Sequence, residues 1–179
     1  MNANQVLRVE FEIIGRQLAE VLKGLSWEQI TYMPNGKANS VGFLAWHTLL
    51  TWDGYDSLVQ DQEEIYQAGG WQEKFGFDVS GRGVEGSGMG TGFSAEDVAL
   101  VRPRAKTLRD YHDAVAQRTL SYLENASAAE LAREMVVPWW PNAVPTARVL
   151  IHIIGHSFIH IGEAWATRDL VKEQVKGGV

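Results

Sequence analysis

The chain has 179 residues, of which 45% are hydrophobic and seven are Trp, a length and apolar content that favour one folded domain over residues 1–179. Its 16 Lys and Arg against 22 Asp and Glu give a net charge of −6, which argues against nucleic acid or an anionic membrane surface as a partner. No apolar run approaches the ~18 residues needed to span a bilayer and no export signal is visible, so we expect a cytoplasmic protein.

The amino-terminal third predicts two helices separated by a loop. Apolar residues at three- and four-residue steps predict the first helix over residues 5–22. This stripe consists of Val6, Val9, Ile13, Leu18 and Leu22. A Pro-Asn-Gly sequence predicts a loop over residues 31–39, after which Ser40 can cap a second helix that runs to about Val59.

A glycine-rich stretch, residues 69–92, follows the second helix. It ends in Gly-Ser-Gly-Met-Gly-Thr-Gly at 86–92, a sequence with too much backbone freedom for a regular element. It lacks the lysine and the preceding strand of a phosphate-binding loop. We therefore interpret the stretch as a long crossover between the second and third helices.

The rest of the chain predicts two more long helices. Ser94 opens a short helical turn, and helical spacing then continues into a third helix that ends near Asn125. Residues 137–145 must be largely non-helical because they contain three prolines, and Thr146 is predicted to cap a final helix that reaches about Lys172. Four main helices without strand alternation predict an all-α fold, namely a four-helix bundle with a long Gly-rich crossover between helices 2 and 3.

Histidines on the final helix are the strongest functional signal. His152, His156 and His160 recur every four residues, and residues four apart are neighbours on one face of a helix, so two of these imidazoles can chelate one ion. Residues eight apart are separated by about 12 Å along the axis, so the chelating pair is either the first two or the last two. His47 is the remaining histidine on a core-facing stripe and is the expected third ligand.

Three neutral imidazoles favour a catalytic metal site over a closed structural one. They leave at least one coordination position for water or a substrate. The chain contains no Cys, so thiolate ligands and a protein thiol nucleophile are both excluded. A single buried histidine is usually a core residue hydrogen-bonded to its neighbours, but three buried together without an ion leave many ring nitrogens to satisfy.

This layout resembles the DinB-like family of bacterial four-helix metalloproteins, which includes the bacillithiol and mycothiol S-transferases. His47 in the second helix, followed by His156, His160 and Gly162 in the last helix, carries the resemblance. It implies that these three histidines are the ligands and that His152 lies beside the site. Members commonly have Arg-Gly-Gln after the last ligand, whereas this chain has Ile-Gly-Glu at 161–163.

The resemblance also implies a function. It predicts a divalent-metal-binding protein that acts as a metal-dependent thiol S-transferase, or a related hydrolase, on small electrophiles, with Zn, Ni or Fe as the ion, a low-molecular-weight thiol as cosubstrate and a homodimer as the assembly. Glu163, one helical turn beyond His160, is the candidate catalytic residue for proton transfer, with an orienting role or a solvent-facing charge as alternatives. The alternative function is a non-enzymatic metal or small-molecule binding module, related to stress responses, in which the ion staples the helices.

Two further pairs of residues complete the candidate features. Trp139 and Trp140 lie in the Pro-bounded stretch beside the final helix, where loop residues often determine specificity, and are candidate pocket residues. Asp53 and Asp56, on the second helix, are expected to face solvent or to pair locally.

Overall fold

A computed structural model describes residues 2–176 and shows a predominantly helical chain, which confirms the all-α prediction. The helices are α1 (Ala3–Leu22), α2 (Trp27–Thr31), α3 (Val41–Gln60), α4 (Ile65–Ala68), α5 (Trp71–Phe75), α6 (Ala95–Leu100), α7 (Ala105–Asn125), α8 (Ala128–Ala132) and α9 (Thr146–Lys176). Short 3-10 turns occur at Pro34–Gly36 and Val84–Gly86. Within residues 2–176, no helix combines the length and the apolar character that crossing a membrane requires.

The four long helices, α1, α3, α7 and α9, pack on one another. Helix α3 lies along α9 and also contacts α7, while α1 lies between α7 and α9. Every residue of α3 from Val41 to Ser57 is buried, because the sequence is apolar or small on nearly all sides of the helix. The predicted cap is confirmed: the side chain of Ser40 accepts a hydrogen bond from the amide of Phe43 at 3.1 Å.

The apolar stripe predicted for α1 is partly wrong. Val6 and Val9 are 46% and 42% exposed, so they do not face the core. The predicted stripe joined residues of two different faces, because Val6, Val9 and Ile13 lie roughly 120° to 180° around the helix from Leu18 and Leu22. The buried face instead comprises Leu7, Phe11, Ile14, Leu18, Val21 and Leu22.

The glycine-rich connection is more structured than a plain linker. The short helix α5 lies within it and α4 directly precedes it. Trp71 and Phe75 of α5 are buried against Tyr111 of α7, with ring centroids 5.0 and 5.7 Å from the tyrosine. The connection is therefore fastened to the long helices by aromatic packing.

A short hairpin precedes α9. Its strands, β1 (Glu134–Met135) and β2 (Val144–Pro145), pair antiparallel with Met135 opposite Val144. The predicted cap at Thr146 differs from the structure, since α9 begins at this residue, and both its amide and its hydroxyl donate to the carbonyl of Arg133, at 2.9 and 3.0 Å. The two ends of the hairpin are thus held together at one carbonyl.

The expectation that Asp53 and Asp56 face solvent is wrong, whereas local pairing holds for Asp56, which accepts a hydrogen bond of 2.8 Å from Nε2 of Gln60. Both side chains are fully buried, and both pair with Arg118 of α7, which is distant in sequence. The guanidinium lies 2.7 Å from Oδ1 of Asp53 and 3.0 Å from Oδ2 of Asp56. Burial raises the pKa of Asp56, and Arg118 opposes that rise. The polar residues of α3 suggest an exposed face when the sequence is considered alone. In the structure α7 and α9 cover that face of the helix.

Both oxygen atoms of the Asp53 carboxylate accept hydrogen bonds. They accept hydrogen bonds from the amides of Ile65 and Tyr66 at 3.0 and 2.7 Å, and from the hydroxyl of Tyr111 at 2.7 Å. Together with the Arg118 contact, these bonds join α3 to α4 and α7. Charge-assisted bonds of this kind are the stronger class, so they fix the position of the central helix.

Replacing Arg118 with Ala should destabilise the protein by about 3 to 5 kcal/mol, because it leaves two buried carboxylates without their cation. Urea denaturation measures the loss. Arg8→Ala is the matched control, since Arg8 is 41% exposed and pairs with Glu12 on the surface, where the expected loss is about 0.5 kcal/mol. Equal losses in the two variants would contradict the structural role of the buried cluster.

Candidate metal centre

Three imidazoles converge where α3 packs on α9. The ligand nitrogen atoms of His47, His156 and His160 all lie within 4.8 Å of one another. The ring centroids are 5.0 Å apart for His47 and His156, 4.9 Å for His47 and His160, and 4.4 Å for the last pair. The structure thus brings together the three residues that the sequence nominated, two from successive turns of α9 and one from α3.

The other histidines take different positions. The ring of His152 is 6.3 Å from that of His156 and contacts Tyr55 rather than the cluster. His112, on α7, lies against α1 and Trp52, with Nδ1 at 2.9 Å from Asp113. Both are therefore neighbours of the core and stand outside the three-imidazole cluster.

The tautomer of His47 is fixed by the backbone. Its Nδ1 lies 2.6 Å from the carbonyl oxygen of Met89, and because a carbonyl only accepts, Nδ1 carries the proton. The lone pair is therefore on Nε2. Phe43 stacks on the ring of His47, with centroids 5.8 Å apart and planes 9° apart, so the side chain is held on two sides.

His160 is held in the same way by a carboxylate. Its Nδ1 lies 2.7 Å from Oε2 of Glu163, which also only accepts, so the lone pair is again on Nε2. A carboxylate behind an imidazole is the usual support for a metal-binding histidine, since it orients the ring and raises its basicity. Glu163 shares a face with His160, as the sequence predicted, and its side chain is half exposed.

His156 supplies a further sign of a ligand position. Its Nδ1 is buried and has no hydrogen-bond partner in the part of the chain that the structure describes. A buried ring nitrogen without a partner costs about 1 to 3 kcal/mol, and such a group in a native fold calls for an explanation. The three nitrogen donors, with two of the rings held in fixed tautomers, fit a divalent transition metal.

Burial keeps two of these rings neutral at pH 7. It lowers the pKa of His47 to about 4, against the opposing effect of the Met89 carbonyl. It also lowers the pKa of His156 to about 3, and the neighbouring imidazoles of His47 and His160 lower it further. A neutral imidazole has a lone pair available, which is the form that binds a metal ion.

The glycine-rich connection contributes to the site, which the sequence analysis missed. Gly90 has a φ of +97°, and a Cβ at this position would lie 2.7 Å from Nδ1 of His47. Glycine is therefore required for the backbone to approach the imidazole and present the carbonyl of Met89 to it. The available signal was glycine at every second position of 86–92, because such spacing often marks a close approach of the backbone.

The predicted pocket residues lie beside the cluster. Trp139 and Trp140 both contact Tyr55 of α3, with ring centroids 5.5 and 5.9 Å away. Trp140 also lies 5.1 Å from His152, whose ring in turn neighbours His156. The Pro-bounded loop thus contacts His152, the residue that neighbours the candidate ligand His156 on α9.

The comparisons with known proteins identify the family and the fold of the chain. The sequence profile of the DinB superfamily matches residues 10–164, and the chain belongs to that superfamily. The crystal structure of a conserved protein from Enterococcus faecalis superposes with a TM-score of 0.83 at 24% identity, over 97% of this chain and 99% of the other, and is thus similar in fold. No curated protein sequence matches the chain.

Replacing Gly90 with Ala should weaken metal binding at least tenfold, because the new Cβ displaces His47 or the Met89 carbonyl that orients it. Competition with a chromophoric chelator measures the affinity. Gly81→Ala is the matched control: Gly81 also has a positive φ, +73°, but an added Cβ there meets no atom within 4 Å. Similar affinities for the two variants would show that contact with His47 is unimportant.

The metal-free protein should lose stability as the pH falls from about 6.5 towards 4. In that range the histidines of the unfolded chain, with pKa near 6.5, take up protons, while His47 and His156 in the folded protein stay neutral. Urea denaturation at a series of pH values between 7 and 5 measures the slope. In a His47→Gln/His156→Gln variant the slope should be shallower, and an unchanged slope would contradict the burial of neutral rings.

Proposed function

We propose that His47, His156 and His160 bind one divalent transition ion, Zn, Ni or Fe, and that the protein is a metal-dependent thiol S-transferase or a related hydrolase acting on small electrophiles. The observation that carries this proposal is the convergence of the three imidazoles, two of them with Nδ1 bonded to an acceptor. Three histidine ligands leave a coordination position for a reactant.

The chemistry follows from the donor set. When bound, such an ion favours the deprotonated form of a thiol or a water molecule at neutral pH. The chain has no Cys, so in a thiol transfer the sulfur comes from a low-molecular-weight cosubstrate. Its S–C bond to the electrophile forms as the leaving group departs with the bonding electrons, and the thiol proton passes to a base or to solvent.

Glu163 has two roles to separate. Its half-exposed carboxylate can take a proton from a reactant, which is the catalytic role that the sequence suggested. Its contact with Nδ1 of His160 supports a positioning role, in which it orients the ring and holds the tautomer. Proton transfer by Glu163 stays a prediction.

The remaining sequence-based expectations form part of the proposal. Residues 1–179 make one domain, in which α1, α3, α7 and α9 form a four-helix bundle and the glycine-rich connection is its crossover. The mutual packing of these four helices supports this arrangement. A small-molecule substrate and a cytoplasmic location complete the proposal.

A homodimer is the proposed assembly, and the outward face of α9 is the proposed contact. Ile151 and Ile159 on this face are 53% and 64% exposed, and Phe158 is 37% exposed. Gly155 and Gly162 lie on the same face, and an added Cβ at either would meet no atom within 4 Å. The fold does not require these helix-interior glycines, which cost about 1 kcal/mol each, whereas close approach of a second helix would use them.

The metal-site proposal predicts that His47→Ala and His160→Ala lose bound metal and the thermal stability that metal adds. Elemental analysis and thermal denaturation with and without added Zn measure both. His152→Ala is the matched control, since this residue lies on the same helix outside the cluster, and it should retain metal. Full metal content in His47→Ala, or its loss in His152→Ala, would overturn the assignment.

The reaction is tested by loading the protein with Zn, Ni or Fe and offering bacillithiol, mycothiol, glutathione or water with small electrophiles. Metal-dependent turnover that disappears in His160→Ala is the expected result. Glu163→Gln separates the two roles: near-normal turnover with weaker metal binding indicates positioning, and lost turnover with intact metal binding indicates proton transfer. Stable metal binding without turnover would favour the binding module, because ligands from α3 and α9 would let the ion join these two helices.

If the protein is a dimer, its sedimentation coefficient at micromolar concentration should be that of two associated chains. The Ile159→Glu variant should sediment as a single chain, because a buried unpaired charge opposes association. Val84→Glu is the control, since Val84 is an exposed apolar residue, at 53%, in the 3-10 turn Val84–Gly86 and not on α9. A monomeric unmodified protein would end the dimer proposal.

A further inference from the structure

A continuous series of aromatic rings leads away from the three histidines. The ring of His156 neighbours that of His152, which lies 4.8 Å from Tyr55 and 5.1 Å from Trp140. Tyr55 in turn contacts Trp139, with centroids 5.5 Å apart. We name Tyr55, Trp139, Trp140 and His152 the aromatic wall. It connects the candidate metal centre with the surface of the protein.

The outer end of the aromatic wall is exposed and yet fixed in place. Trp139 is 57% exposed, which is a large apolar surface for a side chain to leave in water. Its indole Nε1 donates a hydrogen bond of 2.8 Å to the hydroxyl of Tyr55, a residue that is only 7% exposed. A rigid, exposed tryptophan loses little entropy when a flat ligand packs on it, as at binding hot spots.

One cation, Arg148, lies beside the aromatic wall, whereas the acids Glu134 and Glu163 lie just outside the segment that carries it. Between Met135 and Gly162 the sequence has no Asp or Glu, and Arg148 is its one Lys or Arg. The guanidinium of Arg148 lies 5.8 Å from the centre of the Trp140 ring. The acids near Tyr55 in sequence, Asp53 and Asp56, are buried against Arg118. Aromatic rings without a charged neighbour attract cations. Here the guanidinium of Arg148 repels other cations and attracts anions.

The spacing along α9 sets the length of a ligand. Arg148, His152 and His156 follow one another at intervals of four residues on neighbouring positions of the helix. Arg148 and His156 are therefore separated by about 12 Å along the axis. A flat ligand of one or two rings is long enough to place its reacting end near His156 and its opposite end within reach of the long Arg148 side chain.

We propose that the substrate is a flat, apolar electrophile with an anionic group, whose ring system packs on the aromatic wall and whose anion is bound by Arg148. This inference deepens the proposed function and rests on it, because only the proposed transfer reaction requires the ligand to be an electrophile. The binding surface itself is independent of the metal, because none of the residues that form it belongs to the three-imidazole cluster. Trp139 and Arg148 are thus specificity-determining residues.

Binding of 2-naphthoate to the metal-free protein tests the surface directly, with neutral 2-naphthamide as the matched probe. Isothermal titration calorimetry should show tighter binding of the naphthoate, by about fivefold, as one charge-assisted contact predicts. Trp139→Ala should weaken both probes by about tenfold, because it removes the exposed ring. Arg148→Gln should weaken only 2-naphthoate and remove its advantage.

Trp27→Ala is the control variant. Trp27 lies under the guanidinium groups of Arg102 and Arg104, at 4.5 and 4.2 Å, so it offers the same chemistry on α2, outside the aromatic wall. Its replacement should leave both affinities unchanged. Tyr55→Phe keeps the ring but removes the acceptor for Trp139, and it should shift the indole N–H signal in NMR spectra and weaken both probes while the fold is retained.

Three results would overturn the proposal: no binding of 2-naphthoate at millimolar concentration, an equal effect of Trp27→Ala, or an unchanged preference in Arg148→Gln. The outcome is separable from that of the proposed function. Naphthoate binding without metal-dependent turnover would reject the transferase and keep the ligand surface. Turnover on electrophiles with no effect of Trp139→Ala or Arg148→Gln would keep the transferase and reject this substrate class.

Discussion

The burial of α3 on all sides is the constraint on which the rest of the structure depends. On a helix enclosed from Val41 to Ser57, each polar side chain left without a partner is destabilising, because an unsatisfied buried group costs more than a hydrogen bond returns. Asp53 is satisfied by two backbone amides of α4 and by a tyrosine and an arginine of α7. His47 is satisfied by a carbonyl from the glycine-rich connection. The polar groups of one helix thus determine where its neighbours lie.

The same burial prepares the candidate metal centre. Imidazoles held in an apolar setting stay neutral, so they present lone pairs rather than protons at physiological pH. The Met89 carbonyl accepts a hydrogen bond from the protonated Nδ1 of His47, and the Glu163 carboxylate accepts one from Nδ1 of His160. Two of the three candidate ligands are therefore oriented by groups outside the cluster, as second neighbours commonly orient the histidines of metal sites.

The sequence predicted the parts of this protein that depend on helical periodicity. Spacing of four residues identified His156 with either His152 or His160, the resemblance to the DinB-like family selected His160, and Ser40 marked the start of α3 correctly. Features that depend on contacts between distant elements were outside its reach. Nothing local indicates that Arg118 would meet Asp53 and Asp56, since 62 or more residues separate them. The role of Gly90 was hidden for the same reason, because the conformational freedom of glycine was visible but the imidazole it approaches was not.

The hairpin before α9 has a consequence for divergence among related chains. Its two ends meet at the carbonyl of Arg133, and α9 begins immediately afterwards at Thr146. A loop closed at its base can change length and sequence without moving the elements that carry it. Trp139 and Trp140 lie in this loop, whereas the three histidines lie on helices. Substitutions in this loop can therefore accumulate without disturbing the three-imidazole cluster, so the two parts of the chain can diverge independently.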